Sequence, residues 1–136
     1  MVESDFRCQV LLAEDDLVST ELVMAILSVL ECDVTAVAKG ADAIEIFKTK
    51  RFHLVLLDFH LFDMNGDQVA TAMRANEVAR GARPTCIAAL TGSAMPNEIA
   101  RCRASGMDEI LGKPIDFARL RALAVDAFQS ECEIHD

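Results

Sequence analysis

The residues of this chain that could do chemistry stand at the ends of apolar runs. Residues 54–57, LVLL, lead straight into Asp58. Desolvating a charge is costly, so a carboxylate there belongs where a strand leaves the core. Residues 8–13 end the same way, at Glu14, Asp15 and Asp16, and residues 85–90 end at Thr91. Residues 107–111 are followed by Lys113 and Pro114. After Asp58 comes FHLFDMNG, which holds His60, a further carboxylate at Asp63 and the turn pair Asn65-Gly66.

Each residue has a plain reading when taken alone. Asp58 could cap a strand end, Glu14 and Asp15 could favour a helix N-terminus, Thr91 could end a strand and Lys113 could be solvated. Taken together they suit a different task. Three clustered carboxylates repel unless a cation holds them. Carboxylate oxygens, waters and a backbone carbonyl suit Mg2+. An ammonium and a hydroxyl beside them can screen and hydrogen-bond a phosphoryl group, which is phosphoryl transfer by positioning and electrostatics. A carboxylate can itself be the nucleophile and form an aspartyl-phosphate.

The elements that must position these residues alternate in type. Apolar runs at 8–13, 33–38, 53–58, 85–90 and 107–111 read as strands, and helical periodicity occupies 17–31, 41–50, 66–76, 95–106 and 116–128. Leu22, Val23, Ile26, Val29 and Leu30 share the spacing of one face in the first helix, as do Val69, Ala72 and Met73 in the third and Phe117, Leu120, Ala124 and Phe128 in the last. Pro96 suits a first helical turn and Gly106 a position past a helix end, and Asp116 suits an N-cap. The polar tail at 129–136 is expected to fray.

Five strand-helix units imply an α/β fold, a doubly wound five-stranded parallel sheet with five helices. LVLL has the unbroken apolarity of a strand buried on both faces. Right-handed crossovers leave strand order 2-1-3-4-5 as the natural choice. Ligands in such sheets bind beyond the carboxyl ends of the strands. That order sets Glu14 and Asp15 beside Asp58, with Thr91 and Lys113 to one side.

The totals narrow the class. The 136 residues are 52% hydrophobic, enough for the core of one domain. The net charge of −9 argues against nucleic acid as a direct partner. No apolar run is long enough to span a bilayer, and MVESDFRCQ does not read as a signal peptide. The five cysteines are odd in number and make no C-x-x-C pair, so they read as small apolar residues of a cytoplasmic protein rather than a zinc or disulfide framework.

Four motifs in order, VLLAEDD, LVLLDFHLFDMNG, IAALTG and GMDEILGKPI, give the chain its resemblance to a response regulator receiver domain, flavodoxin-like in fold. It covers residues 6–128 of a single domain over 1–136, and Glu14 with the IAALT and GMDEILGKPI wording is most similar to receivers of hybrid sensor kinases. The resemblance implies a phosphorelay in which Asp58 accepts a phosphoryl group from the phosphohistidine of a sensor histidine kinase or histidine phosphotransfer protein. It implies that Asp15 and Glu14 hold Mg2+ with Asp58, that His60 adds its backbone carbonyl rather than its imidazole, that Thr91 bonds the phosphoryl group and that Lys113 stabilises its charge. Asp16 is given a supporting role. Output would pass to a downstream protein or an absent output domain, through a surface around the fourth helix and the fifth strand and helix, with a homodimer left open.

The chain departs from the family at two places. Phe62 replaces the usual proline four residues after the acceptor, loosening that loop, and Ile110 replaces the usual Tyr or Phe before the lysine. Phe59, Leu61 and Phe62 are expected over the site, partly exposed. Two other functions compete. A magnesium-dependent phosphohydrolase would need a second acid or base where His60 stands, and a substrate cap. A scaffold independent of phosphorylation would not need the acidic set or Lys113.

Overall fold

The computed structural model describes residues 7–93 and 95–135, with side chains as far as residue 130. Residues 1–6, the first part of the MVESDFRCQ stretch, and the side chains of Cys132 and His135 lie outside the described residues. The elements alternate without exception: β1 (Gln9–Ala13), α1 (Leu17–Val29), β2 (Asp33–Val37), α2 (Gly40–Phe47), β3 (Leu54–Asp58), α3 (Gly66–Ala79), β4 (Cys86–Thr91), α4 (Pro96–Ala104), β5 (Glu109–Gly112) and α5 (Phe117–His135). The strands form one parallel sheet in the order β2-β1-β3-β4-β5, as the sequence predicts.

Strand alternation divides the core into two layers. Val10, Leu12, Leu54, Leu56, Ala88 and Leu90 face α1 and α5, where Val23, Ile26, Leu27, Leu120 and Ala124 meet them. Leu11, Ala13, Val55, Leu57, Ile87 and Ala89 face the other way, onto Ala43, Phe47, Val69, Met73 and Cys102 of α2, α3 and α4. Every side chain of β3 is buried, and each large apolar one contributes about 1.5–3 kcal/mol relative to exposure. The sheet therefore holds its central strands rigidly up to the rim where Asp58 emerges.

Some element ends differ from the sequence expectation. α1 stops at Val29 because Glu31 turns to φ 59°, with Glu31 N–H donating to Ser28 O and Cys32 N–H to Leu27 O. This pairing is the left-handed helix ending usually made by glycine. The same bonds close α3 at Gly81 and α4 at Gly106. Leu22 and Val29, expected inward, are 42% and 69% exposed. The inward stripe of α1 is narrower, Val23, Ile26 and Leu27. Phe117 is also exposed, and α5 continues to His135, past the apolar periodicity that ends at Phe128. The expected cap at Asp116 forms, with Ala118 N–H donating to its carboxylate.

Candidate functional site

The carboxyl rim of the sheet gathers the acidic residues. Glu14 follows β1 and is tied to β2 by its N–H bond to Val37 O. It is buried, 3% exposed, and its Oε2 accepts the N–H of Asp16 at 3.1 Å. Asp58 ends β3 and is buried as well. Asp15 faces solvent. Oxygens of Glu14, Asp15 and Asp58 lie within 4.8 Å of one another.

Asp16 takes a separate task. Its side chain accepts Ser19 N–H at 2.8 Å and caps α1. Those bonds to Ser19 hold its carboxyl below the usual range. α1 thus begins with its cap two residues beyond Glu14, so helix start and acidic cluster are fixed together.

Lys113 completes the cluster from the β5–α5 loop. Its Nζ lies 2.7 Å from Glu14 Oε1 and 3.5 Å from Asp58 Oδ1. Its backbone N–H bonds Thr91 O at 2.8 Å, which places the loop against β4, and the Lys113–Pro114 peptide is cis. Burial works against the ammonium charge, but the bond to Glu14 and the charges of Asp58 and Glu14 outweigh it, so its pKa lies above the ordinary value. Asp58 is pushed up to about 6 by burial, then by the hydrogen bond and charge of Glu14, with Lys113 opposing. A carboxylate so crowded gains from any further cation.

The site suits such an ion. Glu14 Oε1 is buried, with the Lys113 ammonium 2.7 Å away. Three carboxylates with spare lone pairs, one of them open to solvent, match the oxygen donors of Mg2+, which keeps several waters.

The loop after Asp58 is held from three sides. His60 N–H bonds Asp58 Oδ1 at 3.3 Å. Gly66, the first residue of α3, packs on the backbone of Asp58, where an added Cβ would meet Asp58 O at 2.7 Å. Asp63 reaches the start of α2, accepting Gly40 N–H at 2.8 Å and Ala41 N–H at 3.0 Å. Asp63 is therefore a helix cap supplied from another loop. Its bonds to Ala41 and Gly40 lower its pKa. Phe59 and Leu61, expected partly exposed, are buried in the layer under α2 and α3, because the loop folds inward over that core. Phe62 is 73% exposed.

Thr91 is buried at the end of β4, beside the acidic cluster rather than in it. Its hydroxyl lies 2.9 Å from Ser93 O and 3.2 Å from Glu98 Oε1, and accepts Ser93 N–H. Glu98 was not singled out from the sequence. It occupies the first turn of α4 after Pro96, where an acid reads as a helix-start residue. Its other oxygen stands 3.4 Å from His60 Nε2, so the imidazole has a partner as well. Ile110 is half-buried in β5 against the second core layer.

The chain matches the family model of the response regulator receiver domain over residues 10–125. It belongs to the response regulator receiver family. Curated relatives of this receiver domain include the sensor protein GacS of Pseudomonas syringae pv. syringae, 37% identical over 112 residues. The virulence sensor protein BvgS of Bordetella bronchiseptica is 36% identical over 115 residues. These alignments take in 82% and 83% of this chain but only 12% and 9% of the relatives' length. Among solved structures, the receiver domain of the sensor histidine kinase PA1611 from Pseudomonas aeruginosa PAO1, with magnesium coordinated in its active site cleft, superposes with TM-score 0.81 at 29% identity, covering 90% of this chain and 98% of that one. The receiver domain of Saccharomyces cerevisiae Ssk1, crystallised with the phosphotransfer protein Ypd1, shares the fold with TM-score 0.85 at 23% identity, covering 92% and 91%. The receiver is thus a module of two-component signalling, and among its described residues no helix is long and apolar enough to cross a membrane.

Proposed function

We propose that the receiver takes a phosphoryl group onto Asp58 from the phosphohistidine of a sensor kinase or histidine phosphotransfer protein. The convergence of Glu14, Asp15 and Asp58 with the Lys113 ammonium carries this reading. An Asp58 oxygen forms the new bond to phosphorus while the phosphorus–nitrogen bond breaks and its electron pair returns to the partner's imidazole. Glu14, Asp15 and Asp58, with the His60 backbone carbonyl, would hold Mg2+. That ion, when bound, offsets the carboxylate and phosphoryl charges. Lys113 exchanges part of its contact with Glu14 and Asp58 for a phosphoryl oxygen, and Thr91 turns its hydroxyl to another. Water attack on the same acyl phosphate resets the domain.

The donor protein has a surface to use. Leu17 and Val18 open α1 at 70% and 74% exposure, next to the acidic rim, and Phe62 stands on the loop after Asp58. Apolar side chains this exposed beside a reacting carboxylate suit a partner that must bring its imidazole to Asp58. The whole chain acts as one cytoplasmic receiver module, within or beside a hybrid kinase, and signals through the α4–β5–α5 surface.

Incubation with acetyl phosphate and Mg2+, read by intact mass, tests the proposal. One phosphoryl adduct is expected on the native chain and none on Asp58→Asn, while Lys113→Ala keeps the adduct but shows a weaker NMR response. Full labelling of Asp58→Asn overturns the choice of acceptor. Turnover of a small phosphate ester would favour a phosphohydrolase instead.

A further inference from the structure

Cys8 and Cys32 stand side by side at the amino end of the sheet, opposite the acidic rim. The residues that follow them, Gln9 and Asp33, are partners in the β1–β2 ladder, and Asp33 N–H donates to Cys8 O at 2.9 Å. Adjacent strands lie about 5 Å apart, inside the Cα separation a disulfide needs. Both side chains enter the same core layer, so they project from the same face of the sheet. Their thiols also meet backbone oxygens, Cys8 S–H pointing to Ala124 O at 3.9 Å and Cys32 S–H to Leu30 O at 4.0 Å. A cavity of about 340 Å³ is lined by both cysteines, with Arg7, Glu31, Arg121 and Phe128 around it. Cys86 lies across β3, two strand spacings from β1, out of disulfide reach, and Cys102 lies in the opposite layer.

We propose that Cys8 and Cys32 are an oxidant-sensitive dithiol that closes to a β1–β2 disulfide with a small peroxide as co-reactant. Cys32 is the attacking sulfur. The neighbouring Cys8 thiol, and to a lesser degree the Arg7 guanidinium, outweigh burial and lower its pKa. Cys8, raised by the adjacent Cys32 sulfur and by burial, keeps its proton. The Cys32 sulfur bonds one peroxide oxygen as the O–O bond breaks, and the departing hydroxide takes up the thiol proton to become water. Cys8 sulfur then attacks the Cys32 sulfenic acid, the S–S bond forms, the S–O bond breaks and a second water leaves with the Cys8 proton. Two thiols are oxidised and one peroxide is reduced. The product straps β1 to β2 and removes the Cys8 thiol from Ala124 O of α5, which it meets at 3.9 Å.

The test uses the full chain, treated with hydrogen peroxide, blocked with N-ethylmaleimide and digested with trypsin. Arg7 and Lys39 flank both cysteines with no basic residue between them, so residues 8–39 form one peptide. After oxidation this peptide is expected unalkylated and lighter by a pair of hydrogens, reverting with dithiothreitol. Its thiols should be lost at least about tenfold faster than those of Cys86 and Cys102. Cys8→Ser should leave Cys32 as a sulfenic acid trapped by dimedone, while Cys32→Ser leaves Cys8 open to alkylation. A native peptide that stays fully alkylated while Cys86 or Cys102 oxidises overturns the proposal.

Discussion

The Thr91 hydroxyl lies 3.2 Å from Glu98 Oε1, and the second oxygen of the same carboxylate lies 3.4 Å from His60 Nε2. One side chain from α4 therefore links the end of β4 to the loop after Asp58. In this state the hydroxyl is engaged with Glu98 and Ser93. A phosphoryl group on Asp58 would have to draw it away, and a shift of population needs just such a difference in contacts between two states.

Glu98→Ala should make that release easier. A net hydrogen bond is worth about 1 kcal/mol, so affinity for beryllofluoride with Mg2+ should rise about fivefold. Removing the negative charge near the added anion acts in the same direction. Glu98→Gln, which keeps an acceptor, should fall between. Titration followed by NMR shift checks this, and an affinity unchanged in both variants would mean that Glu98 does not restrain Thr91.

Asp58 predicts a pH dependence of stability. Its folded pKa is raised to about 6, above the unfolded 3.8, so between those values the folded state binds more protons. Its contribution is therefore unfavourable near neutral pH and fades as pH falls through about 6 toward about 4. Asp58→Asn should stabilise the domain by about 1–3 kcal/mol near neutral pH, with the gain vanishing near pH ~4. Mg2+ should raise the unfolding midpoint of the native chain at neutral pH and do so much less for the variant. Urea unfolding across pH, with and without the ion, measures both.

What the sequence disclosed and what it withheld follow from contact range. β3 and β4 were legible because a strand buried on both faces must be apolar throughout, and a carboxylate at its end marks the rim. The end of α4 was legible because Gly106 marks a left-handed position, whereas α3 runs to Ala79, past residue 76 where its apolar periodicity stops. Asp63 and Glu98 were not legible. Each looks like an ordinary loop or helix-start acid, and its partners, Gly40 and Ala41 in one case and Thr91 and His60 in the other, are brought to it only by the folded sheet. The apolar face of α1 is wider in sequence than in the fold, because Leu22 and Val29 fit helical spacing without being needed by the core.

Glu31 is a related case with a measurable consequence. α1 ends there by the same bond pattern as α3 and α4, but with a side chain at φ 59° where they have glycine. An L-residue pays roughly 1 kcal/mol for that backbone region. Glu31→Gly should stabilise the domain by about 0.5–1 kcal/mol, less whatever the looser unfolded chain takes back. A lower urea midpoint would show that the Glu31 side chain has contacts worth more than the backbone strain.

Glu77 makes the opposite prediction, at the rim away from Asp58. It is 3% exposed on α3, with Oε1 accepting Arg74 Nη1 at 2.8 Å and Oε2 accepting Thr85 N–H at 2.7 Å. Arg74 continues to Gly106 O, Thr85 O and Asp108 Oδ2, and Asp108 accepts Ile87 N–H. This network ties α3 to the amino ends of β4 and β5. Glu77→Gln nearly preserves volume, but an amide has one acceptor oxygen for two donors. Its NH2 must then face either Arg74 or the Thr85 N–H, leaving a buried donor unmet beside an uncompensated guanidinium. Arg74 is partly solvated, so the loss should fall toward the low side for a broken buried pair, about 2–3 kcal/mol. Acetyl phosphate labelling of Asp58 well below the unfolding transition should stay unchanged, because the network touches none of Glu14, Asp15, Asp58 or Lys113. A variant that keeps its stability would mean that the Arg74 contacts to backbone oxygens suffice without the carboxylate.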